Sequence, residues 1–439
     1  MQSQYLIRDT DARFAENKFC GNKAATLARI SPLVRTPKSV VLSTDAFKDS
    51  LVSIDKNAAP AYIRSELFKV ELSSSIKSAI EEICHLFSGE ILVVRSSSSI
   101  EDGKSNSAAG LFETQVGIPA SYSLLERAIK RVWVSYFSDR AITYRRAFGV
   151  QTEPLMAVLI QPIVKATASG VAFSKHPIHG NGMLIEAIPG LGFPLVSNQV
   201  IPDRYSVIDG DVTQTLAIKH LAYVVHTGWR RKIAGDPIVW RNGNRNIQSA
   251  FLKYVAGGIA AIRIVDKEFR SRSVLTVAQI NAIAKISKQL ESFFATAVDI
   301  EWAFEANELT ILQARPVTRV ASARTMSLGM RHEDGQIIDG VGLAPGIAKG
   351  IVSSPNRASQ HLKNVLVTRE LAPEDILDIM NHKALVVGVG GILSHVAILC
   401  RELGIPCVQT RDYWMLEDGV EVIVDGNAGK LYLLNRGDH

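Results

Sequence analysis

The segment ALVVGVGGILSHVAILC, residues 384–400, constrains the chain more than any other. It runs for 17 residues without a formal charge, which is short of the roughly 20 that a membrane helix needs. Three glycines, Ser394 and His395 interrupt it, and Arg401 and Glu402 follow at once. An apolar run, the pair Gly390-Gly391 and a helical pattern opening at Ser394 predict instead a buried strand, a tight turn and a helix. Ser394 carries an N-cap side chain, which puts His395 in the first turn, beside unpaired amides and the positive end of the helix dipole. That setting favours a neutral imidazole and stabilises a phosphoryl group attached to it, so His395 reads as a nucleophile rather than a metal ligand. From these residues alone the alternative stays open: a core histidine beside a structural turn.

The surrounding pattern mixes strands and helices. At about 150 residues per domain, 439 residues make two or three domains. Hydrophobic residues at 47% and charged residues at 21% suit a globular chain and exclude a disordered one. Strand-like runs at 39–42, 91–94, 156–163, 170–173, 184–188, 299–304 and 310–314 alternate with helical stretches, notably 122–148 and 277–295. These predict an α+β or α/β body over residues 1–320. The polar, basic stretch after Pro316 supplies a linker, 321–340, and a second, compact α/β unit occupies 341–439. Its strands are expected at 364–368, 384–388, 421–424 and 430–434, with helices at 373–380 and 394–403.

Charge and cysteine content narrow the function classes. Cys20, Cys84, Cys400 and Cys407 are scattered without a zinc spacing and read as reduced structural thiols. The first residues carry acid and base without an apolar core, so no secretory signal is expected and a cytoplasmic location is. The net charge of +6 raises the question of nucleic acid. However, the densest basic run, 226–245, holds only Trp229 and Trp240 as aromatics and reads as a solvated face. Neither nucleic acid nor membrane is expected as a partner.

Residues 390–406 resemble the phosphohistidine loop of the swivelling domain in phosphoenolpyruvate synthase, pyruvate phosphate dikinase and rifampin phosphotransferase. They agree at Gly390, Gly391, Ser394, His395, Ala397, Ile398, Arg401, Leu403, Gly404, Ile405 and Pro406. Leu393 departs, standing where the family usually has threonine. The large body resembles, in order, the ATP-grasp nucleotide-binding domain of the same family. Gly21-Asn22-Lys23 matches an element whose lysine contacts ATP phosphates, while Val94-Arg95-Ser96-Ser97, Glu101-Asp102 and Ala109-Gly110-Leu111-Phe112-Glu113-Thr114 follow in the family order. An arginine at a strand end neutralises phosphate, and a loop rich in glycine and serine lets backbone amides close over it. Gln161 stands at the family's nucleotide-contacting glutamine.

The last element, Asp299-Ile300-Glu301-Trp302 through Leu312-Gln313-Ala314-Arg315-Pro316, reads as a hairpin turning at Ala306, Asn307 and Glu308. That turn sets Glu301 across from Gln313 on one face with Arg315, and a one-residue slip would separate them. A carboxylate and an amide oxygen are hard donors suited to magnesium; Arg315 would stabilise the transferring phosphoryl group.

The resemblance therefore implies ATP and Mg2+ as cofactors and a dikinase-type reaction. Lys23, Arg95, Gly110, Thr114, Gln161, Glu301, Gln313 and Arg315 would bind nucleotide, Glu301 and Gln313 would hold metal, and His395 and Arg315 would act on phosphorus. No pyruvate-binding barrel follows the swivel unit before His439, so a different small-molecule acceptor is expected, presented by a separate subunit or bound between the domains. An ATP-dependent condensing enzyme or ligase that activates a carboxylate or carbonyl, and a non-catalytic phosphocarrier or regulatory nucleotide-binding subunit, are the alternative readings.

Overall fold

In the computed structural model, residues 4–55, 57–101, 111–149, 155–196, 200–224, 250–255, 258–317, 336–354, 364–371, 375–389, 391–392 and 394–434 are described. The glycine and serine loop 102–110, the basic run 226–245, residues 321–335 of the expected linker, Gly390 and Leu393 lie outside them.

The large body is built on two antiparallel sheets. The first has the strand order Leu6–Arg8, Val40–Leu42, Met156–Pro162, Ile91–Ser98, Thr114–Pro119. Strict alternation in its central strand decides the layering. Met156, Val158 and Ile160 join one core with the helices Thr44–Ser50, Pro60–Lys69, Ser74–Leu86 and Tyr122–Ser135, whereas Ala157 and Leu159 join another on the opposite face. That second core also holds Leu27 and Ile30 of the helix Asn17–Ile30, Ile280, Ile283 and Leu290 of the helix Val277–Phe294, and one face of the second sheet.

The second sheet runs Glu308–Pro316, Val298–Glu305, Ala168–Phe173, Met183–Pro189, Asp203–Ile208, Asp211–Thr215. It alternates in the same way. Ala172, Ile185, Ile300 and Trp302 face the large-body core, and Val171, Phe173, Leu184 and Ile188 face the C-terminal unit. A three-stranded antiparallel sheet of Leu221–Val224, Gly258–Ile264 and Ala250–Val255 completes the body. One expectation is corrected: the single helix over 122–148 is two, Tyr122–Ser135 and Asp139–Ala147, because Ser138 turns extended and its hydroxyl caps Ala141 N at 3.3 Å.

The C-terminal unit is α/β. Parallel strands Ile347–Ser353, Val365–Thr368, Ala384–Val387 and Cys407–Gln409 form the centre of an eight-stranded sheet, with antiparallel strands at both sides. The strand Ile337–Asp339, inside the expected linker, pairs with Lys430–Tyr432 and so belongs to this unit. Among the described residues no helix is long and apolar enough to cross a membrane, and all four cysteines are free.

Candidate active site

Lys23 owes its position to a glycine. Within the helix Asn17–Ile30, Gly21 takes φ 68° and ψ 173°, a break that restarts the helix just before Lys23. A Cβ at Gly21 would lie 1.9 Å from the Ser97 carbonyl oxygen, so only glycine allows this contact with the Ile91–Ser98 strand. Asn22 ties the following loop: its Nδ2 donates to Ser99 O at 2.9 Å and Glu101 O at 2.6 Å. Lys23 Nζ then pairs with Glu101, a carboxylate buried to 1% exposure, and lies 3.3 Å from Ser96 Oγ.

The hairpin of Val298–Glu305 and Glu308–Pro316 supplies the acidic side. Its turn is one residue shorter than expected: Ala306 and Asn307 alone form it, both with positive φ, and Glu305 pairs with Glu308. A regular ladder from that turn would pair Glu301 with Leu312. A β-bulge between Glu301 and Trp302 absorbs the difference, so Glu301 does stand opposite Gln313 and Asp299 opposite Arg315. The freed Leu312 carbonyl accepts Arg95 Nη1 at 3.0 Å. Arg95 Nη2 reaches both Glu301 Oε2, at 3.1 Å, and Gln313 Oε1, at 2.5 Å. Arg315 binds Asp299 Oδ2 through Nη2 at 2.5 Å and Nε at 2.8 Å. Burial pushes the Asp299 pKa up, and the guanidinium of Arg315 pulls it back.

Cross-strand pairing puts two more expected residues, Thr114 and Gln161, on the Arg95 face of the first sheet. Arg95 pairs with Thr114 on one side and Leu159 on the other, and Gln161, two residues on, shares that face. Gln161 is buried and its Nε2 donates to Ser39 Oγ at 2.8 Å. Gly110 lies outside the described residues.

His395 occupies the first position of the helix His395–Leu403, with Ser394 as N-cap accepting Ala397 N at 3.2 Å. The helix seats over the second sheet on the same face as Asp299 and Glu301. Val396, Ala397 and Cys400 share a core with Val171, Phe173, Leu184 and Ile188. The Arg401 guanidinium stands 5.7 Å from the Phe173 ring centroid and donates to Leu343 O and Ile392 O at 2.7 Å. Burial drives its pKa down to about 10, opposed by Asp299.

Two acidic groups in this region, Asp299 and Glu186, are not among the residues the sequence motifs single out for a role. Asp299 lies two residues before Glu301, a spacing that puts both on one face of a strand, so its place was available from periodicity. Glu186 pairs with Val171, which pairs with Glu301, and so sits in the same row. It is fully buried, with Arg204 Nε on Oε1 at 2.8 Å and, among the described residues, no partner for Oε2. Burial raises its pKa.

Comparison with known proteins agrees with this geometry. Residues 17–333 match the family described as pyruvate phosphate dikinase, AMP/ATP-binding domain, and residues 362–429 match PEP-utilising enzyme, mobile domain. The phosphoenolpyruvate synthase of Pyrococcus furiosus is 30% identical over 415 residues, covering 91% of this chain and 48% of its own length. That of Aeropyrum pernix is 30% identical over 367 residues, covering 78% of this chain and 44% of its own. The chain thus spans about half the length of the curated relatives it matches. With a nucleotide-binding body carrying paired cations and carboxylates and a mobile unit carrying a capped histidine, the chain belongs to the pyruvate phosphate dikinase and phosphoenolpyruvate synthase family.

Proposed function

We propose that this chain transfers phosphate from ATP through His395 to a small-molecule acceptor, releasing AMP. The observation that carries the reading is the seating of the His395 helix over the sheet face on which Asp299, Glu301, Gln313 and Arg315 meet. Lys23, Arg95 and Arg315 clamp the phosphates, and Thr114, Gln161 and Gly110 contact the nucleotide. A neutral His395 nitrogen attacks the β-phosphorus: an N–P bond forms, the bridging Pα–O–Pβ link breaks on the β side, and AMP departs. Loss of the γ-phosphoryl group to water or phosphate leaves monophosphohistidine, whose N–P bond the acceptor then cleaves. The helix N-terminus stabilises the charge that His395 gains.

Glu301 and Gln313 fit a magnesium ion, because one carboxylate and one amide oxygen already converge on a single cationic nitrogen. Bound there, the ion would neutralise phosphate charge. The free cysteines support a cytoplasmic setting. The acceptor binds between the domains or arrives on a separate subunit, and neither nucleic acid nor membrane takes part.

Incubation with β-labelled and γ-labelled ATP tests the reading. The expected result is AMP release with acid-labile β-label on the wild type and neither on His395→Ala. Nucleotide binding without AMP or label in the wild type would favour a regulatory nucleotide-binding subunit instead.

A further inference from the structure

We infer that Arg95 is the counter-cation of the Glu301 and Gln313 pair in the nucleotide-free chain, so that a divalent ion enters only as phosphate draws Arg95 away. The inference rests on the proposed nucleotide site and concerns its order of assembly. Arg95 Nη2 engages both candidate metal-binding oxygens, and its Nη1 is fixed by the bulged Leu312 carbonyl. The side chains of Arg95 and Glu301 are only 12% and 28% exposed. A bare divalent ion must therefore displace a guanidinium that is already placed, leaving it enclosed without a carboxylate, which is costly. Triphosphate removes that obstacle by offering the guanidinium a new anion.

The neighbouring cations repeat the arrangement. Lys23 holds Glu101, and Arg315 holds Asp299. Each phosphate-clamping cation thus carries a carboxylate of its own, so an incoming polyanion must compete with those carboxylates for the cations. Arg95 is then a positioning residue for metal entry as well as a phosphate clamp.

Mn2+, which prefers the same hard oxygen donors, tests this through the loss of its free-ion electron paramagnetic resonance signal. Wild-type chain is expected to bind Mn2+ weakly alone and strongly with a non-hydrolysable ATP analogue. Arg95→Met should bind Mn2+ without nucleotide about tenfold more tightly than wild type, since the competing charge is gone. Arg95→Lys, whose point charge cannot span both oxygens and the Leu312 carbonyl, should show a smaller gain. Glu301→Gln placed on Arg95→Met should abolish it. Strong analogue-dependent binding by wild type, with no nucleotide-free gain in either variant, would overturn the inference and leave the nucleotide site standing. No Mn2+ binding by wild type with the analogue would overturn both. Unchanged unfolding temperatures establish that the variants compared are folded.

Discussion

Gly21 shows how much one residue decides here. Its φ of 68° is open to glycine, and an added methyl would meet the Ser97 carbonyl at 1.9 Å. Gly21→Ala should therefore lower stability by more than about 2 kcal/mol in urea titration. It should also weaken ATP binding, because Lys23 starts from that break. A nucleotide affinity equal to wild type would show that Lys23 is positioned otherwise. At this scale Lys23, Arg95, Glu301, Gln313 and Arg315 were all legible, since each sits in a short motif whose chemistry is local. Glu186 was not. Its carboxylate becomes part of the site only through two strand pairings, with Val171 and then Glu301, and those partners are distant in the chain.

The hairpin from Val298 to Pro316 carries the same lesson one scale up. Expected and observed registers agree at Glu301 and Gln313 although the observed turn is one residue shorter than the expected one, because the bulge at Leu312 adds back what the turn omits. No propensity marks such a bulge; the Arg95 side chain that fills its carbonyl comes from another sheet. The turn itself is strained, with Ala306 at φ 47°, a position that suits asparagine or glycine. Ala306→Asn should raise stability by about 0.5–1 kcal/mol, read as a higher urea midpoint, and leave Mn2+ and nucleotide binding unchanged.

The loop after the Ala168–Phe173 strand makes a pH-dependent contribution. His176 Nδ1 accepts Ile178 N at 3.2 Å and His179 N at 3.3 Å, and its ring stacks on His179 with centroids 4.5 Å apart. Burial, with the neighbouring His179 charge, drives its pKa down to about 4 from 6.5. The unfolded chain takes up this proton below about 6.5 while the folded chain resists until about 4, so the stabilisation is complete above that window. It fades on acidification through it, by at most about 3 kcal/mol. His176→Asn, whose side-chain oxygen can accept the same amides, should flatten the slope of stability against pH between 4 and 6.5. An unaltered slope would assign the acid response to other groups.

Across the whole molecule, the two units share a core. Ile178 of the large body sits 3.6 Å from where a Cβ on Gly342 of the C-terminal unit would lie, and Tyr144 Oη is 3.4 Å from Glu402 Oε2. Ile178→Asp should loosen this seating and slow labelling of His395 at least about tenfold, as burying an unpaired carboxylate costs a few kcal/mol, while analogue-dependent Mn2+ binding stays intact. Loss of that binding as well would mean the substitution damages the nucleotide-binding body itself. The order of the two units was legible because each carries its own local motifs. Their docking was not, because it depends on which face of the second sheet the alternation of Val171, Phe173, Leu184 and Ile188 leaves uncovered. The most direct measurement is peptide mapping by mass spectrometry under alkaline conditions after exposure to ATP and Mg2+. A phosphoryl group on His395, formed together with AMP, is the result this account requires. An unmodified His395 in a chain shown to hold the nucleotide and the metal would contradict it.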